Sequence, residues 1–309
     1  MATITPPAPP GAGTPRRARA GRRKRVEPIY YLFLVPSLVV FTCAITLPAI
    51  MGFAYSFTNS VGFGEWNFIG LRNYQAMFRD EGILGSYTFT LLFALFTVVV
   101  VNIIAFALAV GLTSKVKGLA ALRTIYVIPM VISGIVIAYV FQYLFAKTLP
   151  AFGEAIGSQA LSSSILADPS WAWLAIVIVT AWQSIPSTML IYLAGLVTIP
   201  DEVYEAAALD GASGWQKLTK ITIPMASGFI VINTILGFKN YLNAFDIIVG
   251  LTDGGPGVAT RSVAMTILRG FDGGDYAYQM ANAMIFFLIS IAIALIQLRV
   301  TRGRTVFGQ

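Results

Sequence analysis

The chain has 309 residues, 57% apolar and 11% charged, with a net charge of +7, no histidine and a single cysteine, Cys43; its mean hydropathy is +0.75. Soluble domains carry about 25% charged residues, so a soluble enzyme is excluded, and uncharged runs of this length read as one membrane domain. Without histidine there is no His-dependent triad, proton relay or common zinc or haem ligand set, and a lone thiol makes neither an intrachain disulfide nor a metal cluster.

The first 27 residues are rich in Pro, Gly, Ala and Arg and almost free of large apolar side chains, which predicts a disordered basic tail over 1–27. A basic run before an apolar one also opens a secretory signal. The apolar stretch here is much longer than a signal core of about 7 to 15 residues and ends in no clear small-x-small site. The tail is therefore read as an uncleaved topology anchor on anionic lipid headgroups.

Charge-free stretches then run from Glu27 to Glu65, Glu81 to Lys115, Arg123 to Lys147 and Asp168 to Asp201. Each exceeds the roughly 18 to 20 residues that cross a hydrocarbon core as helix. A fifth apolar stretch, Ile221 to about Gly250, is interrupted by Lys239 and Asp246, and a sixth runs from Tyr276 to Leu298. The expectation is an all-α membrane protein with six transmembrane helices over 28–309. Loops at about 58–82, 147–169 and 251–275 share one side, and Asp253-Gly254-Gly255-Pro256-Gly257 in the last reads as a helix stop and turn.

Basic residues set the orientation. The tail and the connections on its side hold 15 Lys and Arg, against 5 opposite, namely Arg72, Arg79, Lys147, Arg261 and Arg269. Short cytoplasmic loops accumulate such residues, so both termini are expected in the cytoplasm. Positive charge spread along membrane boundaries, rather than on one face between aromatics, also argues against a nucleic-acid partner.

One cytoplasmic connection, about 199–224, is more elaborate than a link needs to be. Pro200, Asp201 and Glu202 open a helix as the dipole favours, Glu205-Ala206-Ala207-Ala208-Leu209 propagates it, and after Asp210 the glycine Gly211 can end it in the left-handed conformation. Ser213 can cap a second helix that carries Trp215 and Leu218 and runs into the fifth span. On these residues alone, a helix pair lying on the membrane surface and a docking element are both open. Nowhere does the chain contain G-x-x-x-x-G-K-[ST], so it cradles no nucleotide phosphate itself.

Glu205-Ala206-Ala207, three residues, Gly211, nine residues and Ile221-x-Ile223-Pro224 resemble the E-A-A-x3-G-x9-I-x-L-P signature of membrane subunits of binding-protein-dependent ATP-binding-cassette importers. Ile223 replaces leucine, and Gly228 stands where the family often has proline. Ile69-Gly70-Leu71-Arg72-Asn73-Tyr74, Leu122-Arg123-Thr124-Ile125-Tyr126-Val127-Ile128-Pro129, Leu166-Ala167-Asp168-Pro169-Ser170-Trp171, Asn243-Ala244-Phe245-Asp246 and Leu251-Thr252-Asp253-Gly254-Gly255-Pro256-Gly257 are similar to the carbohydrate, maltose-type branch. The resemblance covers about residues 28–300. It implies a six-span type I importer fold in the plasma membrane of a prokaryote. It further implies a second homologous permease, two copies of a cytoplasmic ATPase that bind ATP and Mg, and an extracytoplasmic sugar-binding protein. Carried over residue by residue, it assigns ATPase coupling to Glu205, Ala206, Ala207, Asp210, Gly211 and Pro224. No cofactor or metal is expected in this chain, which is read as a transport subunit and not an enzyme.

A substrate path is expected on the fifth span. Lys239, Asn243 and Asp246 fall at i, i+4 and i+7 of a continuous helix, with Asn240 beside them, and Phe238, Tyr241 and Phe245 supply aromatic faces for a sugar ring. A bland alternative has Lys239 snorkelling and pairing with Asp246 to lock the helix. Resemblance supports Asn243 alone. The runner-up functions are an ion-coupled secondary transporter using Lys239 and Asp246, an importer permease for a non-sugar solute such as a glycerophosphate, and a membrane scaffold. The absence of an evident inverted repeat weighs against the first, and the elaborate loop against the last.

Overall fold

A computed structural model describes residues 28–113, 119–159 and 161–302. The predicted tail, 1–27, and the basic residues Lys115 and Lys117 lie outside them. The chain divides into the units Met1–Ile50 and Met51–Gln309. Five helices are long and apolar enough to span a bilayer: α1 (Leu32–Tyr55), α3 (Glu81–Leu112), α5 (Gly134–Ala155), α6 (Ala172–Leu196) and the last helix, whose apolar part is Tyr276–Arg299. The pair α8 (Gly214–Met225) and α9 (Ser227–Leu242), bent by 65°, makes a sixth when counted as one broken span. Among the described residues there is no strand, only an isolated bridge between Thr58 and Phe68. The shorter helices are α2 (Arg72–Met77), α4 (Leu119–Val131), α7 (Asp201–Leu209), α10 (Asp246–Thr252) and α11 (Val263–Asp272), and α12 is the full last helix, Tyr276–Arg302.

Within Met51–Gln309, α3 and α6 form the centre. Phe96 meets Trp173 edge-on at 5.2 Å, and Phe106 meets Tyr192 at 5.2 Å. The Tyr192 hydroxyl donates to Asn102 Oδ1, and Asn102 Nδ2 donates to the Val98 carbonyl (2.8 Å), so both ends of this amide are satisfied. Small residues bring backbones close where lipid supplies no hydrophobic drive between helices. A Cβ added at Gly250 of α10 would lie 2.5 Å from Ala138 Cβ of α5, and one at Gly195 of α6 would lie 2.4 Å from the Phe229 ring of α9. On the other flank, Tyr87 donates to Asn282 Oδ1 (2.8 Å), Asn282 Nδ2 donates to Gln279 Oε1 (3.1 Å), and Val263 N donates to Thr90 Oγ1 (3.0 Å). These bonds bind α11 and α12 to α3.

The loop motifs have local physical jobs. Asn73 Nδ2 donates to the carbonyls of Ser56 (2.9 Å) and Thr58 (2.8 Å), folding the segment after α1 back onto α2. Asp80 caps α3, its Oδ1 accepting from Gly82 N (2.9 Å) and Ile83 N (3.1 Å). Asp168 Oδ1 accepts from Ser170 N (2.8 Å) ahead of α6. The glycine-rich turn does stop a helix: Asp253 ends α10 in the left-handed region at φ 49°, and Arg269 of α11 pairs with it.

Two expectations about the spans are corrected. The third was placed between Arg123 and Lys147, but the helix breaks at Ile132–Ser133, so the apolar span is α5 and Lys147 lies inside it, in a π turn over Leu144–Thr148. Ser133 is extended (φ −58°, ψ 137°), and Gln183 Nε2 donates to the freed Ile132 carbonyl at 3.0 Å. The fifth was read as one helix through Asp246. It bends at Ala226, two residues after Pro224, whose ring removes a helical donor. It stops again at Leu242, and α10 starts anew at Asp246.

Candidate functional site

The helix pair at 199–224 forms as its residues require. Pro200, extended at ψ 136°, precedes α7, and Asp201 and Glu202 fill its first turn. Asp210 N donates to the Ala206 carbonyl (3.1 Å), Gly211 N to Ala208 (3.1 Å) and Ala212 N to Ala207 (2.9 Å). The last two are the paired bonds of a Schellman ending, which needs a left-handed residue at Gly211; its φ is +73°. Two residues later Ser213 opens α8 with a reciprocal capping box, its N donating to Gln216 Oε1 (2.7 Å) and its Oγ accepting from Gln216 N (3.3 Å). The bend between the helices is thus specified at both ends by side chain and backbone bonds.

Glu205, Ala206 and Asp210 are exposed on α7, and Ala207 is half-buried. Large apolar side chains flank the bend in the open: Leu209 is 91% exposed and Trp215 72%. A cleft of about 970 Å³ between the pair and the C-terminal ends of α3 and α6 brings Glu205 together with Pro200, Glu202 and Lys217. Pro224 is exposed and lies off that cleft, after the π turn of Leu218–Thr222.

The second site lies where two interrupted spans meet. The break between α4 and α5 and the break between α9 and α10 face each other across α6: a Cβ on Gly134 would sit 3.5 Å from Gln183 Oε1 and 3.6 Å from Asp246 Cβ. Between them is a cavity of about 270 Å³ lined by Thr180, Gln183, Ser184, Asn240, Asn243 and Asp246, with Tyr241 and Phe245 as its aromatic walls. Thr180 is 5% exposed, and its hydroxyl has no hydrogen-bond partner. An orphaned buried hydroxyl on a cavity wall is a group that an incoming hydroxyl would satisfy.

The proposed stripe of Lys239, Asn243 and Asp246 on one helix does not exist. Asn243 Nδ2 donates to the Lys239 carbonyl at 2.9 Å, the acceptor a helical backbone donor would have used, and residue 243 leaves the helix at φ −96°, ψ 18°. Phe245, at φ −138°, carries the chain to the new helix begun by Asp246. The break brings Asn240, Asn243 and Asp246 together and leaves Lys239 off the cavity. Phe238 faces a separate apolar groove with Asn102 and Ile293. Sequence reasoning missed Thr180, Gln183, Ser184 and Gly134, which carry no charge. Polar residues spaced along an otherwise apolar sixth helix, with Pro186 just beyond, were the available signal. Among the described residues there is no group of three or more Asp, Glu or Cys placed to hold a metal.

Residues 111–305 match the family described as "Binding-protein-dependent transport system inner membrane component". The chain is 30% identical over 278 residues to the probable starch degradation products transport system permease protein AmyD of Thermoanaerobacterium thermosulfurigenes, covering 90% of this chain and 95% of that one. It is 31% identical over 274 residues to the multiple sugar-binding transport system permease protein MsmF of Streptococcus mutans, covering 88% and 94%. The fold is shared with a bacterial ABC transporter involved in the import of the acidic polysaccharide alginate, at a TM-score of 0.78 and 21% identity, over 90% of this chain and 96% of that one. With its apolar spans and its permease relatives, the chain belongs to the family of binding-protein-dependent transport system inner membrane components, as a multi-pass subunit of a prokaryotic ABC importer.

Proposed function

We propose that this permease forms half of the translocation path for a sugar or oligosaccharide. In this reading an extracytoplasmic binding protein delivers the cargo, and ATP on two copies of a separate cytoplasmic ATPase drives transport beside a second, homologous permease. Both termini lie in the cytoplasm, as the basic asymmetry of 15 to 5 indicates. The observation that carries the reading is the cavity at the two facing span breaks. Amides and hydroxyls of Thr180, Gln183, Ser184, Asn240 and Asn243 surround it beside the aromatic Tyr241 and Phe245, the mixture that hydroxylated rings require. Names of the relatives, which are permeases for starch degradation products and multiple sugars, support the same cargo class.

The helix pair supplies the coupling. Glu205, Ala206, Ala207, Asp210 and Gly211 build a bent element with Leu209 and Trp215 uncovered on it, which suits a groove on a soluble partner. Pro224 sets the bend by which a push on α8 turns α9. The carboxylate of Glu205 stands free in solvent at the cleft mouth. No step of ATP chemistry falls to this chain.

The test is purification of the tagged chain, expressed with its neighbouring genes, followed by mass determination of the intact complex. One copy each of two permeases with two ATPase copies is expected. Recovery of the chain alone, active in ion-driven uptake, would favour the secondary-transporter reading.

A further inference from the structure

We propose that the translocation path carries an uncompensated negative charge at Asp246, so that this permease passes neutral or cationic hydroxylated substrates and rejects phosphorylated or uronic ones. The inference rests on the reading of the cavity as the path and deepens it. Of the lining residues, Asp246 alone carries a carboxyl or a basic group. Among the described residues it makes no ion pair, since the pair found there joins Arg269 to Asp253. Lys239, the cation nearest in sequence, does not line the cavity. Its segment ends before Asn243 turns the chain away.

The position of the carboxylate makes its charge count. It begins α10 at a break in the span, faces the break of α5 through Gly134, and is exposed on the surface of this chain. Asp246 follows the span segment that ends at Leu242, at an exposed position where water or a polar path can solvate a carboxylate. Here the neighbours are the neutral donors and acceptors of Gln183, Asn240 and Asn243, which orient a hydroxylated ligand without neutralising the charge. Even in a water-accessible cleft a fixed carboxylate raises the local concentration of cations and lowers that of anions. A neutral sugar can accept this site by donating hydroxyl hydrogens to the carboxylate; a phosphate or uronate has no such donor at its anionic end and meets like charge.

The field can be read without knowing the cargo. In the assembled importer, with Cys43→Ser removing the native thiol, Ala244→Cys places a reporter on the cavity lining. Its modification rates with cationic 2-(trimethylammonium)ethyl and anionic 2-sulfonatoethyl methanethiosulfonate are measured and referred to the rate ratio of free 2-mercaptoethanol. The expected cation preference is about tenfold above the free thiol. It should collapse to the free-thiol value in Asp246→Asn and invert in Asp246→Lys. A preference that Asp246→Asn leaves unchanged overturns the proposal. So does a free-thiol ratio with Asp246 in place, a reading that holds even if the substituted complexes fail to assemble. A thiol that neither reagent reaches, with or without bound ATP, would instead remove the cavity from the path and defeat the underlying reading, an outcome distinct from an accessible site with no charge preference.

Discussion

The Tyr204 hydroxyl lies 3.0 Å from Thr222 Oγ1, tying α7 to the π turn of α8 across the bend at Gly211. Thr222 is 6% exposed and its Oγ1 donates to the Lys217 carbonyl at 3.3 Å, so the phenol must be the donor to it. This bond adds a tie between the two helices to those that specify the bend at Gly211 and Ser213. A partly buried hydrogen bond of this kind contributes about 1 kcal/mol. Tyr204→Phe should leave the complex assembled while lowering sugar accumulated per ATP hydrolysed several-fold. Thr222→Val, which also loses the bond to the Lys217 carbonyl, should do at least as much, and the double variant should be no worse than Thr222→Val, because the bond to the phenol is then already gone. Additive losses would show that the two residues act separately.

Gly211 isolates backbone conformation from packing. A Cβ there would meet nothing within 4 Å, so only φ +73° resists substitution. The left-handed region costs a non-glycine residue roughly 1 to 2 kcal/mol, least for asparagine. Gly211→Val should abolish uptake and weaken ATPase association, whereas Gly211→Asn should retain most of both. Equal loss in the two variants would point to a side-chain clash with the partner instead. Glu205→Lys reverses an exposed charge and should weaken association without changing membrane abundance.

Helix packing offers a contrast between two glycines of neighbouring elements. A Cβ on Gly250 would lie 2.5 Å from Ala138 Cβ, while one on Gly134 would find its nearest neighbour at 3.5 Å. Gly250→Ala should destabilise the α5 and α10 pair by about 1 to 3 kcal/mol, seen as reduced membrane abundance and a lower melting temperature in detergent. Gly134→Ala should be mild. Rescue of Gly250→Ala by Ala138→Gly would confirm the contact.

Orientation is testable by labelling intact cells with an impermeant thiol reagent in a Cys43→Ser background. Cysteines at Glu65, Ser163 and Ala259, all exposed, should react, and one at Ala208 should not. Ser60 is a poor probe because it is 7% exposed and its carbonyl accepts from Ala277 N at 3.0 Å.

Local signals made the helix pair at 199–224 legible. Pro200, Gly211 and Ser213 each act through bonds within a few residues, so their types and spacing suffice to write the helix ends. The spans were legible as apolar runs, but not their interruptions. No charge marks the break at Ile132–Ser133, only the turn-type dipeptide Ser133-Gly134, and the amide that satisfies the broken turn comes from Gln183, 51 positions away. At the fifth span the assumption of an unbroken helix put Lys239 in line with Asp246. The competing bond from Asn243 to the Lys239 carbonyl, together with an acid three residues on, was the missed sign of one helix ending and another starting. Thr180 and Gly250 owe their significance to what lies opposite them, which one chain's local pattern does not display.

The most direct measurement is sugar accumulation by the purified complex in proteoliposomes, with the binding protein outside and ATP on the ATPase side. Accumulation should require ATP and the sugar-loaded binding protein, persist when proton and sodium gradients are collapsed, and disappear in Gly211→Val with the complex intact. Accumulation driven by an imposed ion gradient in the absence of ATP would contradict the account.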